Sequence, residues 1–208
     1  LHVQNAALLV ADHRRGEILA WVVGGAGDDD VPGHAIDAVL ALRQPGSALK
    51  PFLYALALEK GWTAATLIDD QPYAAALGGG LHDYQNYSRS FYGPVSLRAA
   101  LGNSLNIPAL KALQHTGVAA YHAPLRRLGF TSLQRAPAHY GEGLALGNGE
   151  VSLLELVQGY AVLANRGRYL SLSGLPEAAL TRPAQAIFSP EIASLIGNIL
   201  SDPSAREL

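Results

Sequence analysis

The stretch "RQPGSALKPF", Arg43–Phe52, sets Ser47 and Lys50 three residues apart, at the entrance to a run, "FLYALALEKG", that reads as a buried helix. Pro51 follows Lys50 directly, and proline is tolerated only in a first turn. The helix therefore starts near Ser47 and reaches about Lys60, where Gly61 ends it. Residues i and i+3 share a helix face, roughly 5–6 Å apart at Cβ, so the Lys50 amine can reach the Ser47 hydroxyl. A lysine near pKa 10.4 is protonated at neutral pH, and acting as a base requires a depression of about three units, or roughly 4 kcal/mol of unfavourable burial or cation repulsion. The apolar helix supplies the burial. Its N-terminus favours an anion on Ser47 and offers a backbone N–H as one oxyanion donor. The alternative is an exposed lysine beside a capping serine. Ser-x-x-Lys by itself is a weak signal, since 13 serines and 3 lysines in 208 residues give about 0.2 chance matches.

Composition narrows the classes. About half of the residues are apolar (49%), and no window approaches a membrane span, so the chain reads as one globular domain or most of one. A net charge of −2 with acids and bases interspersed argues against a nucleic-acid surface or a polybasic membrane patch. The absence of cysteine excludes disulfides, thiolate metal sites and cysteine nucleophiles. No signal peptide is visible, and the chain opens at Leu1 directly before a strand pattern, as expected of a piece of a longer polypeptide.

Outward from the nucleophile stretch, "AALLVADHRRGEILAWVVGG" gives two β-prone runs, Ala6–Val10 and Ile18–Val23, joined through turn residues Asp12 and Gly16 as an antiparallel hairpin. Gly25–Gly33 is an acidic loop, read as a solvated turn with metal binding as the alternative. Leu67–Pro94 is turn-rich and without a steady period, a long ordered excursion carrying Tyr73, Tyr84, Tyr87, Phe91 and Tyr92. Helices follow: one capped by Ser96, one with Pro108 as first residue and Gly117 as stop, and one running to about Leu128 before Gly129. Another opens on the capping box Ser152/Glu155 and stops at Gly167, and a last one starts at Ser189–Pro190.

Between two of these helices lies "NSLN", Asn103–Asn106. A second hydroxyl near the nucleophile can relay a proton to a leaving amine, and a carboxamide can grip a peptide bond through donor and acceptor. Alone, Ser104 and Asn106 read as helix caps. Together with Ser47 and Lys50 they make two of the three signatures of serine β-lactamases and penicillin-binding proteins.

The chain resembles the transpeptidase domain of class A penicillin-binding proteins, the 1C type among them, over nearly its whole length. "ALLVADHRRGEILAWVVGG" resembles the opening hairpin and "RQPGSALKPFLYALALEKG" the nucleophile helix. "YGPVSLRAALGNSLNIPALKAL" resembles the second motif with its lead-in, and "GLALGNGEVSLLELVQGYAVLANRG" the helix after it. The resemblance implies an α+β fold, an antiparallel sheet packed with an all-helical subdomain, with residues 1–208 as a partial domain. It implies acyl transfer on the D-Ala-D-Ala ends of peptidoglycan stem peptides and acylation by β-lactams, with Ser47 as nucleophile, Lys50 as general base, Ser104 as proton relay and Asn106 as substrate clamp. It implies no metal and no cofactor, and a place in the bacterial cell envelope, on the periplasmic side of the inner membrane. A glycosyltransferase domain and a membrane anchor would precede Leu1.

One departure stands out. The family's third motif, Lys-Thr/Ser-Gly, is not in this sequence, whose three lysines are followed by Pro51, Gly61 and Ala112. "HTG" at His115–Gly117 is no substitute, because it closes a helical pattern on a C-capping glycine. The expectation is that the motif, with the remaining sheet strands, follows the end of this chain. The seven histidines show no metal-ligand spacing, and "GGGLHDY" lacks the strand-to-helix setting of a phosphate loop. The aromatics Tyr84–Tyr92 read as packing residues or as the lining of a substrate groove. Three functions stay open: a peptidoglycan transpeptidase, a serine β-lactamase, and a non-catalytic β-lactam sensor or scaffold.

Overall fold

The computed structural model of the chain describes residues 5–25, 33, 35–77, 80–175 and 184–208. Most of the acidic loop after Gly25 lies outside them. The hairpin forms as β1 (Asn5–Asp12) and β2 (Glu17–Gly25), with a bulge between Val10 and Ala11 and a turn closed by Gly16 N–H donating to Asp12 O. Gly16 has φ 70°, and a Cβ there would lie 2.9 Å from the Ser171 carbonyl oxygen. The turn needs glycine for both reasons.

The helical part is built around α1 (Lys50–Glu59), which buries Leu53, Tyr54 and Ala55 completely. Apolar residues surround it because α2 (Leu97–Gly102), α3 (Asn106–Thr116), α4 (Val118–Arg127), α6 (Leu153–Ala164) and α7 (Pro190–Ser201) turn Leu97, Leu110, Leu125, Val162 and Ile196 inward. A short α5 (Pro137–Tyr140) runs into a 3₁₀ turn, Gly141–Leu146, neither of which the sequence pattern indicates. The caps do fall where expected. Ser96, Ser152 and Ser189 each accept the N–H of the residue three positions on, and Ser152/Glu155 forms the complete capping box.

One expectation is refined and one corrected. The ordered excursion Leu67–Pro94 is built of short strands. It folds as β3 (Leu67–Asp70), β4 (Tyr73–Leu77), β5 (Gly80–Tyr84) and β6 (Gly93–Ser96), with β3 pairing β6 and β4 pairing β5, both antiparallel. Strands of four or five residues are too short to establish a period. Pro108 is the third residue of α3, not the first, because a side chain from outside the helix receives the earlier amides, as described below.

The fold is α+β. Among the described residues the strands pair only in twos, the last pair being β7 (Arg168–Tyr169) with β8 (Gln185–Ala186). The β1–β2 ribbon leaves Leu8, Leu19 and Val22 more than half exposed. It is tied to the helical part at its turn, where Ile18 N–H donates to Ser173 O at 2.9 Å and His13 Nδ1 lies 2.7 Å from Asn165 Oδ1.

Candidate active site

Ser47 lies in a 3₁₀ turn, Gly46–Leu49, that leads into α1. The segment before it is held by an isolated bridge, Arg43 and Val151 exchanging both N–H···O bonds at 2.9 Å. Gly46 (φ 55°) packs on Gly147 (φ 75°) so closely that a Cβ on Gly147 would sit 2.2 Å from Gly46 O. The two carbonyls after Ser47 are held by phenols: Tyr160 Oη donates to Ala48 O at 3.0 Å and Tyr121 Oη to Leu49 O at 2.8 Å. Every neighbour of Ser47 in the chain is thus held by a different element, while Ser47 itself is exposed. Its hydroxyl makes no hydrogen bond to a described residue, which leaves it available to a ligand.

Lys50 is 1% exposed. Its Nζ donates to Ser104 O at 2.6 Å and Asn106 Oδ1 at 2.7 Å, and lies 3.3 Å from Ser104 Oγ. Burial pulls its pKa down to about 8. Desolvation disfavours the ammonium, and no carboxylate among the described residues pairs with it.

Ser104 sits between α2 and α3 with φ 55°, in the left-handed region, at a cost of about 1–2 kcal/mol for a residue with a Cβ. This conformation turns its carbonyl onto Lys50. Asn106 opens α3, and both ends of its amide are engaged: Oδ1 by Lys50, and Nδ2 by Gln85 O at 2.8 Å. One Nδ2 hydrogen remains for a ligand. The structure therefore brings Lys50, Ser104 and Asn106 together and places Ser47 in the 3₁₀ turn that leads directly into the helix opened by Lys50.

Residues that the sequence reading left aside complete the site. Asn86 is 3% exposed and its Oδ1 accepts the N–H of Asn106 at 2.8 Å and of Ile107 at 3.4 Å. Asp70, fully buried, accepts from Asn86 Nδ2 and from Tyr92 N–H. No motif marks them; the only sequence signal is a pair of polar residues in a turn-rich segment. Of the aromatics there, Tyr84 is buried and stacks on Tyr73 with ring centroids 5.9 Å apart, whereas Tyr87 is wholly exposed. His115 is not at the site: it stacks on Trp62 at 4.6 Å in the last turn of α3, and Gly117 (φ 88°) caps that helix. Among the described residues no group of three or more metal-ligand side chains converges, and no helix is long and apolar enough to cross a membrane.

The chain is similar to known proteins over most of its length. The family described as the penicillin-binding protein transpeptidase domain matches residues 6–203. Penicillin-binding protein 1C of Escherichia coli (strain K12) is 33% identical over 203 residues, covering 95% of this chain and 25% of that protein. Penicillin-binding protein 1A of the same organism is 34% identical over 165 residues, 78% of this chain and 19% of that protein. The crystal structure of penicillin-binding protein 1A from Haemophilus influenzae superimposes with a TM-score of 0.71 at 33% identity, covering 82% of this chain and 25% of that one. The chain spans a quarter or less of the length of these relatives.

Proposed function

The chain belongs to the penicillin-binding protein transpeptidase family, and on that premise we propose that it is the acyl-transfer part of a peptidoglycan D,D-transpeptidase. The observation that carries the reading is the Lys50 amine, buried and held by two carbonyl oxygens one turn after an exposed serine. A neutral lysine amine has two N–H bonds and one lone pair. Ser104 O and Asn106 Oδ1 take the two hydrogens, which leaves the lone pair for a hydroxyl proton. In this reading Lys50 takes the Ser47 proton as Ser47 Oγ bonds to the carbonyl carbon of D-Ala-D-Ala. The C–N bond then breaks, and the proton returns to the departing D-Ala amine through Ser104, 3.3 Å from Nζ. An amine of a neighbouring stem attacks the acyl-serine carbonyl, the C–Oγ bond breaks, and the proton the amine gives up passes through Ser104 and Lys50 to Ser47 Oγ, leaving the cross-link and a free serine. The free Asn106 N–H is available to orient the substrate amide. A β-lactam enters the same cycle as a mimic of D-Ala-D-Ala.

No carboxylate among the described residues is hydrogen-bonded to Ser47, Lys50, Ser104 or Asn106. A hydrolytic water at the acyl-serine has no base of its own there, which favours a long-lived acyl-enzyme over a β-lactamase. The proposal places the protein in the bacterial cell envelope, with its anchor and a glycosyltransferase domain in other parts of the polypeptide. The test is a time course with fluorescent penicillin, followed by cross-linking of a stem-peptide substrate. A stable adduct with cross-linking supports the reading; rapid turnover of the drug identifies a lactamase, an adduct without cross-linking a sensor, and no adduct a scaffold.

A further inference from the structure

Helix α3 starts without a cap of its own. Leu105, at the N-cap position, has no side-chain oxygen, yet none of the first amides is left over. Leu105 N–H donates back to Ala100 O, Asn106 and Ile107 donate to Asn86 Oδ1, and the next residue is Pro108, which has no N–H. A side chain twenty positions earlier thus closes the helix that carries Asn106.

The orientation of that side chain is forced. Asn86 Nδ2 faces three oxygens: Asp70 Oδ1 at 2.9 Å, Asp70 Oδ2 at 2.8 Å and Ser90 O at 2.9 Å. The backbone N–H groups of Asn106 and Ile107 can only donate, so the amide oxygen must point to α3 and the nitrogen to Asp70 and Ser90 O. The adjoining residue repeats the device, since Gln85 O takes Asn106 Nδ2 and leaves Asn106 Oδ1 for Lys50. Two side-chain amides are thus oriented from adjoining residues, Asn86 by the Asp70 carboxylate and Asn106 by the Gln85 carbonyl. That carboxylate is fully buried and has no cation bonded to it among the described residues, an expensive placement. It also faces α1. Burial, and after it the Asp70 charge, push the Tyr54 phenol up, and Tyr54 lies one turn beyond Lys50 on the same face.

We propose that Asp70 and Asn86 are a positioning pair for acyl transfer: Asp70 orients the Asn86 amide, Asn86 sets the first turn of α3, and that turn holds Asn106 Oδ1 and Ser104 O against Lys50 Nζ. The inference rests on the functional reading above. Neither residue touches the reacting atoms. The pair acts on the rate of the step that uses Lys50 and not on capture of the drug.

The test measures acylation by fluorescent penicillin at several drug concentrations, in the complete polypeptide that carries this chain, so that pre-acylation binding separates from the limiting rate. Asn86→Ala and Asp70→Asn are compared with wild type, alone and combined with Asn106→Ala, with thermal melts alongside. Each single variant is expected to lower the limiting rate at least about tenfold with binding unchanged, as small misplacements at a reacting centre do. In the Asn106→Ala background the same substitutions should add less than about threefold, because the residue they act through is gone. If Asn86→Ala does not fold, Asp70→Asn, which keeps the size of the side chain, carries the same comparison. Effects that multiply in full with Asn106→Ala, or that weaken binding and rate together in step with melting temperature, overturn the pair. A wild type that forms no adduct overturns the functional reading itself, and the role of the pair with it.

Discussion

The buried Lys50 Nζ and the half-buried Asn106 Oδ1, 56 positions apart in the chain, are joined by a 2.7 Å hydrogen bond. With the 2.6 Å bond to Ser104 O, this contact makes one site of two short motifs. It also accounts for how a buried lysine is tolerated: two carbonyl oxygens satisfy two of its hydrogens without the charge of a carboxylate, so desolvation remains uncompensated and the amine titrates near 8.

Ser47 is expected to be the single acylated residue. Intact-mass analysis after β-lactam treatment should show one adduct on the complete polypeptide and none on Ser47→Ala, while Ser104→Ala slows the adduct without moving it. Mapping of the adduct to Ser104 by peptide mass spectrometry sinks the assignment.

Lys50→Arg should lower acylation by about 10²–10⁴, the usual loss on removing a positioned base, because arginine stays protonated. The wild-type rate should climb with pH and level off above about 8, where the amine is neutral. The rise should be absent in the variant. Stability has its own signature: the folded pKa is depressed from 10.5 to about 8, so the unfolded chain binds the proton more tightly, and the penalty of burying Lys50 is complete below 8 and relieved as pH rises from 8 to 10.5. A near-native rate for Lys50→Arg places the base elsewhere.

Gly147→Ala should damage the site from a distance. Its Cβ would meet Gly46 O at 2.2 Å and Gly46 N at 2.5 Å, both backbone atoms of the residue before Ser47, at a φ of 75° that disfavours alanine. The Gly46 backbone has to shift. We expect a lower melting temperature and slower acylation together; a variant with native acylation shows that the turn tolerates displacement.

Glu155 tests the capping box as part of a larger anchor. Burial alone raises its pKa, yet the hydrogen bonds from the Ser132 hydroxyl, the Ser152 and Ser132 amides and the Thr131 hydroxyl hold the carboxyl below its ordinary value. Glu155→Gln should cost about 1–3 kcal/mol at neutral pH, the penalty for donors left unmatched. A depressed carboxyl contributes stability above its unfolded pKa and loses it as pH falls through the folded one, so the gap between wild type and variant should narrow below about pH 4. Denaturant melts at pH 7 and pH 3 make the comparison.

The fifth expectation concerns the oxyanion. A tetrahedral intermediate needs two convergent donors, and losing one costs roughly 2.7–4 kcal/mol. A polypeptide that carries this chain together with a Lys-Thr/Ser-Gly strand should acylate at least about a hundredfold faster than residues 1–208 alone and melt higher, since a two-stranded ribbon such as β1–β2 is marginal by itself. Equal rates and equal melting temperatures point to a donor within the present residues.

What the sequence by itself determined is what local chemistry can specify. Pro51 and Gly61 bracket the helix that Lys50 opens, Ser96, Ser152 and Ser189 start three others, and the Ser47/Lys50 and Ser104/Asn106 spacings mark the candidate site, because caps, prolines and i,i+3 neighbours act over a single turn. What only the tertiary structure decided is which of the two motifs Lys50 bonds. Its Nζ goes to Ser104 and Asn106 across the fold, since carbonyl oxygens there replace the water that burial removes. The strands β3–β6 were likewise invisible because four or five residues are too few to show a period, and the early start of α3 and the Asp70–Asn86 contact behind Asn106 because hydrogen bonds between side chains and residues well separated in the chain leave no period in the sequence.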